Sequence, residues 1–223
     1  MTRDEAVAEI QFYLGKRRDS AADIVTKLEL GQRHLERNWP TRPLPWFLLT
    51  ERASTTMVAS EERVAIPTDF IEEWEGSGMW VVDSNGGEHL VKKFDSDDAR
   101  LYEQERTDFG TLTLASSSDR LPNKYAMTGD YFRFFPTPAT ALTLKMIYYQ
   151  TQDLPSSGSV ENRWLKYAPY VLIGWAGERM AIVMRPDVVG VFQEMKTSAI
   201  GALNIQSVER QMSNRQMAMG ETI

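Results

Sequence analysis

Apolar positions recur at helical spacing at both ends of this chain and in short or alternating runs through its middle. Val7, Ile10 and Leu14 share one face of a first helix from about Asp4 to Leu14. Thr2 and Glu5 stand at capping-box spacing before it, and Gly15 is its stop. Ile24, Leu28, Gly31 and Leu35 line a second helix from about Ser20 to Arg37, with Asp19 or Ser20 as its cap. Trp39-Pro40 ends it, and Pro43 and Pro45 keep it from resuming, because proline lacks the amide donor and restricts the residue before it. The short basic turn Lys16-Arg17-Arg18 makes the pair an antiparallel hairpin.

Trp46 to Tyr149 reads as β-rich. Thr55–Val58, Arg63–Ile66, Met79–Val82 and His89–Val91 are strand runs, and Pro67-Thr68-Asp69-Phe70 stops the second. Asn85-Gly86 predicts a type I′ hairpin turn, whose two central residues need positive φ. A short helix is expected over Asp95–Gln104 and a strand at Thr111–Leu114, before the Ser116–Asp119 loop. Lys124–Met127, Tyr131–Phe135 and Leu142–Tyr149 complete a meander, turned at Thr128-Gly129-Asp130 and Pro136-Thr137-Pro138. After the polar loop Thr151–Glu161 come helices over Trp164–Met184 and from Pro186 to about Arg215. Val188, Val191, Phe192, Met195, Ala199, Ala202 and Leu203 form the core stripe of the latter. Beyond Met212 the chain is polar apart from its methionines, a fraying end or an arm.

The expected class is α+β, with a helical hairpin at 1–45, an antiparallel β-rich region at 46–150, and C-terminal helices and tail at 151–223.

Composition narrows the chemistry. The 223 residues, 42% of them hydrophobic, suffice for a sizeable core. The chain has no cysteine, which excludes disulfides, thiol nucleophiles and thiolate metal sites and fits a reducing cytoplasm. Met1–Glu5 lacks a signal-peptide apolar core, and the longest apolar run, Tyr170–Trp175, is too short for a membrane span. A net charge of −6 argues against general nucleic-acid binding. Glu61–Asp108 holds 14 acidic and 5 basic residues, a net of −9, so the remainder is at +3.

No catalytic, cofactor or metal constellation emerges. The two histidines, His34 and His89, lack neighbours at ligand spacing. Asp95-Ser96-Asp97-Asp98 opens like a calcium loop, but Ala99, Arg100 and Arg106 occupy the positions that need an oxygen ligand, a glycine and a glutamate. Gly76-Ser77-Gly78 lacks the frame of a nucleophile elbow. Gly174 and Gly177 suit close helix packing. Glu72, Glu73 and Glu75 offer either a glycosidase carboxylate pair or a solvated acidic cluster. Trp164, Tyr167 and Trp175 sit among apolar helix neighbours, as core or as a subunit contact.

The order of elements carries more. Leu14-Gly15-Lys16-Arg17, Asp19, Ile24, Leu28, Gln32, Leu35-Glu36 and Pro45-Trp46-Phe47-Leu48 open the pattern. Glu62–Phe70 gives a strand, proline, acid and phenylalanine step. Pro122-Asn123-Lys124-Tyr125, Gly129, Phe134-Phe135-Pro136-Thr137-Pro138, Tyr148-Tyr149, Leu154 and the aromatic helix from Trp164-Leu165 to Glu178 complete it. Over about residues 1–205 the chain resembles the head-to-tail adaptor proteins of tailed bacteriophages, the rings beneath the portal. The resemblance implies a helical bundle formed by the N- and C-terminal helices, 151–223 packing with 1–45, with an inserted antiparallel β-rich domain. It implies a structural virion protein at the head–tail junction, assembled in the host cytoplasm, and no enzyme. It implies a homo-oligomeric ring, usually of twelve copies, that docks on the portal protein, extends the DNA channel and offers a platform to tail or nozzle proteins. Double-stranded DNA would pass without specific binding, and no membrane or cofactor is involved. The candidate subunit or portal interface is then Trp164, Tyr167, Trp175, Met180, Met184, Met212, Met217 and Met219. Methionine suits adaptable contacts. The candidate acidic channel wall is Glu72, Glu73, Glu75, Asp97 and Asp98, which would repel DNA phosphates. A tail-completion or baseplate component is the alternative, and a tail-borne carboxylate glycan hydrolase a lesser one.

Overall fold

A computed structural model describes residues 1–15, 20–50, 53–74, 78–93, 121–154, 158 and 161–220, the last ten as backbone alone. The expected turn at Lys16–Arg18, the Asp19 cap, the helix at Asp95–Gln104, the strand at Thr111–Leu114 and the loop at Ser116–Asp119 lie outside the described residues. The chain is α+β and divides into two compact units, one of residues 1–49 and 150–223, the other of 50–149.

The first unit is helical: α1 (Arg3–Tyr13), α2 (Ala21–Arg37), α3 (Arg163–Tyr167), α4 (Pro169–Met184) and α5 (Val189–Gly220). The Thr2 hydroxyl accepts from the Glu5 amide at 3.3 Å, and the Glu5 carboxylate accepts from the Thr2 amide at 2.8 Å. This is the reciprocal capping box. Gly15, at φ +84, follows the last turn of α1 in the left-handed region. Ser20 stands at the N-cap of α2 without a side-chain capping bond.

α4 is the centre of this unit and packs against α1, α2 and α5. It is apolar nearly all round, as a helix enclosed by neighbours must be. Val171, Leu172, Ile173, Ala176, Met180 and Ala181 are all buried on it. The one helix expected over Trp164–Met184 is in fact two. Ala168, at φ −140 and ψ 47, separates α3 from α4 because Pro169 has no amide to donate and disfavours a helical residue before it. Glycines let the neighbours approach α4 closely. A Cβ on Gly177 would lie 2.2 Å from the Phe192 ring of α5, one on Gly174 2.8 Å from the Lys196 backbone, and one on Gly31 of α2 2.7 Å from Trp175.

Two further expectations for α5 change. Phe192 and Leu203 are buried and Met195 and Ala199 half-buried, but Val191 and Ala202 point to solvent. The stripe turns instead through Asn204 to Ser207. The helix also runs on as backbone to Gly220, past the expected end near Arg215. Its 32 residues extend roughly 48 Å at 1.5 Å per residue.

Among the described residues the second unit holds two four-stranded sheets around one core. β1 (Ala53–Met57), β9 (Leu142–Met146), β4 (Met79–Val82) and β5 (Glu88–Leu90) lie in that spatial order. The other sheet runs β2 (Arg63–Ala65), β8 (Tyr131–Phe135), β7 (Lys124–Thr128) and β6 (Lys92–Lys93). β3 (Phe70–Glu73) pairs with β10 (Tyr148–Gln150). Met57, Val81, Phe132, Phe134 and Leu144, from both larger sheets, are fully enclosed in the shared core.

The expected meander is therefore corrected. β9 enters between β1 and β4, so pairings of long sequence separation replace neighbour-to-neighbour order. Pro136–Pro138 carries the chain from one sheet to the other and does not turn a hairpin. The Leu142–Tyr149 run breaks at Ile147, whose amide makes the last bond in register with β4, to the Gly78 carbonyl at 2.7 Å, before Tyr148–Gln150 pairs with β3 instead. A Cβ on Gly78 would meet the Ile147 carbonyl oxygen at 2.3 Å, which gives this glycine a structural reason. The expected stop at Pro67–Phe70 leads directly into β3, a strand the sequence reading did not include. Two-residue Gly129-Asp130 joins β7 to β8, with Gly129 at φ +60. At the Asn85-Gly86 hairpin only Gly86 has positive φ, at +85, so the turn is not type I′. Asp83 explains the longer loop: its carboxylate accepts from the Asn85 and Gly87 amides at 2.8 and 2.7 Å and from His89 Nε2 at 2.8 Å. The His89 and Gly87 bonds hold this carboxyl below its ordinary value.

The tight helix contacts give a direct test. Gly177→Ala is expected to destabilise the helical unit by about 1–3 kcal/mol through overpacking against Phe192. Gly190→Ala, where a Cβ meets nothing within 4 Å, is expected to be neutral or stabilising by about 0.5 kcal/mol. Guanidinium unfolding midpoints of the two variants check this.

Candidate assembly surface of the helical unit

A buried polar cluster joins the N-terminal hairpin to the segments that return after residue 150. Gln32 and Glu36 occupy successive turns of α2 on the same side as Leu28 and Leu35, and all four are buried. Glu36 Oε1 accepts from Trp164 Nε1 at 2.8 Å, from the Gln152 amide at 3.1 Å and from Gln32 Nε2 at 3.1 Å. Gln32 Nε2 also donates to the Gln152 carbonyl at 2.7 Å, and its Oε1 accepts from Asn162 Nδ2 at 2.7 Å. Asn162 Oδ1 caps α3 by accepting from the Leu165 amide at 2.9 Å. Burial raises the Glu36 carboxyl above its ordinary value, opposed by these bonds and by Arg33.

A second seam holds α5. Asn204 Oδ1 accepts from Trp39 Nε1 at 3.3 Å and from the Thr41 hydroxyl at 2.7 Å. Ser207 Oγ accepts from the Trp46 amide at 3.4 Å, and the Arg210 guanidinium lies 3.6 Å from the Trp46 ring centre. Glu178 of α4 pairs with Lys196 and accepts from Gln193 at 3.0 Å. Burial pushes the Glu178 carboxyl up, but Lys196 and Gln193 bring it below the ordinary value. One side of α5 is thereby occupied down to Arg210.

The opposite sides stay open. Ile182 and Val183 on α4 are 54% and 84% exposed, and Ile205 and Val208 on α5 are 62% and 42% exposed. Phe12, at the end of α1, is 63% exposed. It lies beside Tyr13, whose carbonyl accepts from Arg185 Nη1 at 3.2 Å, so the C-terminal ends of α1 and α4 meet.

A family model described as SU10 adaptor protein matches residues 1–220. The chain belongs to the SU10 adaptor protein family. It is a structural adaptor protein of a tailed bacteriophage and a component of the virion. Comparison with curated proteins found no match.

In this adaptor the expected interface residues have different fates. Trp164 is wholly enclosed, donating to Glu36 and packed on Trp39 and Phe47, and Met180 is buried in the bundle. Both are core of their own unit. Tyr167 stacks on Phe47 and meets Trp46 edge-on while 41% of it stays exposed. Trp175 is half-buried between Gly31, His34 and Arg179, and Met184 is half-buried. Met212, Met217 and Met219 lie on the backbone of α5. Of the expected acidic set, Glu72 and Glu73 lie half-buried on β3, and Glu75, Asp97 and Asp98 fall outside the described residues. Glu73 forms an ion pair with Lys93, and burial together with Glu73 raises the Tyr125 hydroxyl. Among the described residues no group of His, Asp and Glu is arranged to hold a metal, and no helix is long and apolar enough to cross a membrane. The exposed Ile182, Val183, Ile205 and Val208 were not singled out from sequence. Their signal is apolar positions on the sides of α4 and α5 away from the core stripes.

The Glu36 cluster sets a pH-dependent prediction. Glu36→Ala leaves the Trp164 and Gln152 donors without their acceptor and is expected to destabilise the unit by about 2–4 kcal/mol. Glu36→Gln keeps an acceptor oxygen without the charge. Because the folded carboxyl binds its proton more tightly than the unfolded one, its contribution is full below the ordinary value of 4.5 and is lost as pH rises through the raised folded value. The stability of the wild-type chain relative to Glu36→Gln is therefore expected to fall between pH 4.5 and pH 7. Unfolding midpoints of both chains across that range check the sign.

Proposed function

We propose that this protein is the head-to-tail adaptor subunit of its phage: copies form a ring, twelve in number, that docks beneath the portal. The ring extends the DNA channel and presents the platform on which tail or nozzle proteins assemble. Double-stranded DNA passes through it during ejection without specific binding, and the ring assembles in the host cytoplasm. The observation that carries this reading is the family match over residues 1–220. The fold is compatible with it. A helical unit closed from both chain ends leaves open apolar sides for neighbours, and a separate β unit offers a second surface.

The half-exposed residues of the expected interface, Tyr167, Trp175 and Met184, together with the methionines of distal α5, serve subunit or portal contacts. Trp164 and Met180 serve them indirectly, by fixing the helices that carry the others. Glu72 and Glu73 on β3, with Glu75, Asp97 and Asp98, give the channel wall its negative charge. Lys93 offsets Glu73 in the free subunit.

Two measurements check this. Native mass spectrometry of the chain mixed with its portal ring is expected to show about twelve copies added per portal. A chain that never joins the portal overturns the reading and directs attention to tail-tube and baseplate partners. Charge reversal of Glu72, Glu75, Asp97 and Asp98 together is expected to slow DNA ejection, and ejection at the unchanged rate removes the channel-wall role.

A further inference from the structure

α4 ends in an open apolar pad. Ile182 and Val183 lie three and four residues beyond Arg179, on one side of the helix, and all three are exposed. α5 carries an open apolar strip far from that pad. Ile205 and Val208 share its outward side with Glu194, and Glu209 flanks them. Val208 lies 19 positions beyond the first residue of α5, roughly 28 Å along the helix. In sequence, Met212 and Met219 follow at intervals of four and seven residues.

The strip does not continue the side of α5 that faces its own unit. That side holds Phe192, Leu203 and Ser207, and it becomes polar at Arg210. Ile205 and Val208 fall on the other side. An apolar side that changes face along one continuous helix calls for a second body beyond the first.

Charge says which body. Arg179, beside the pad, makes no ion pair among the described residues: it lies over its own Trp175 ring at 5.2 Å and is felt by the Glu178 carboxylate, which is already paired with Lys196. Glu194 and Glu209, beside the strip, make no ion pair among the described residues. Lys196 and Arg210 on the same helix are already taken by Glu178 and Trp46. The pad is thus an apolar surface with an unpaired cation, and the strip an apolar surface with unpaired anions. They are complementary to each other and too far apart to meet within one subunit.

We propose that the strip Ile205–Val208 of one subunit packs on the pad Arg179–Ile182–Val183 of the next copy, with Glu209 facing Arg179. This rests on the ring reading and names its subunit contact. Such a contact is head-to-tail: two different surfaces meet, each subunit keeps one of each free, and the chain of contacts ends only on closure.

The absence of cysteine makes the test clean. Val183→Cys, Ile205→Cys and the double variant are each assembled on the portal ring and oxidised. The double variant is expected to give a ladder of covalent oligomers up to the closed ring, while each single variant stays monomeric on a denaturing gel. Both positions are exposed, so circular dichroism of all three variants is expected to match the wild type. A double variant that joins the portal in full copy number yet stays monomeric overturns the pairing and leaves the adaptor reading standing. Single variants that form covalent dimers overturn it as well, because they show like surfaces meeting. Failure of the wild-type chain to join the portal counts against the adaptor reading itself.

Discussion

The buried carboxylate of Glu36 is the constraint on which the helical unit depends. Taking a carboxylate out of water is expensive unless its oxygens are met by donors held in place. Here the donors come from Trp164 and the Gln152 backbone, more than a hundred residues away in sequence, and from Gln32 one turn earlier. The hairpin therefore cannot complete its own interior. It is satisfied only when the chain returns after residue 150 and places Asn162, α3 and Trp164 against it. An insertion of about a hundred residues between the two halves is tolerated because the closure is local to the ends of the insertion, where Gln150–Asp153 meets α2. Once α3 is fixed, Pro169 starts α4 at once, and its apolar circumference needs α1, α2 and α5 on different sides.

That arrangement leaves α5 with two roles along one axis. Its first half closes the bundle through Phe192, Leu203 and the glycine contacts of α4, at separations that admit no side chain. From Asn204 to Arg210 it is held by polar atoms and a cation over Trp46. A helix anchored over its first two-thirds and long enough to reach roughly 48 Å is a rigid way to carry a surface outward. This suits an assembly protein whose chemistry lies in shape and partner choice.

Much of this was legible in the residues. Local signals were read well where they were local in origin: the Thr2–Glu5 box, the Gly15 stop, the stripe on α2 and the Gly129 turn need only neighbours within a few positions. Non-local pairings were not. Nothing in the composition of Leu142–Met146 says that it lies between β1 and β4. Nothing in Phe70–Glu73 marks a strand, since its pairing with β10 supplies what its glutamates lack. Pro169 did signal the break before α4, but the continuous aromatic run across it looked like one helix. Gln32 and Glu36 stood out only as part of the family pattern and not as a buried pair, although their spacing of four and their place beside Leu28 and Leu35 put them on the buried side. Among the candidate interface residues, size and aromaticity picked out Trp164, which the bundle encloses. They passed over Ile182, Val183, Ile205 and Val208, whose significance lies in exposure that only the fold determines.

The central claim is a place in the particle, and imaging that particle tests it most directly. Cryo-electron microscopy of the intact virion is predicted to show a single ring of this chain between the portal and the first tail protein, each copy with its helical unit folded as described. Density for the chain only in the tail tube or baseplate, with another protein beneath the portal, would contradict the account.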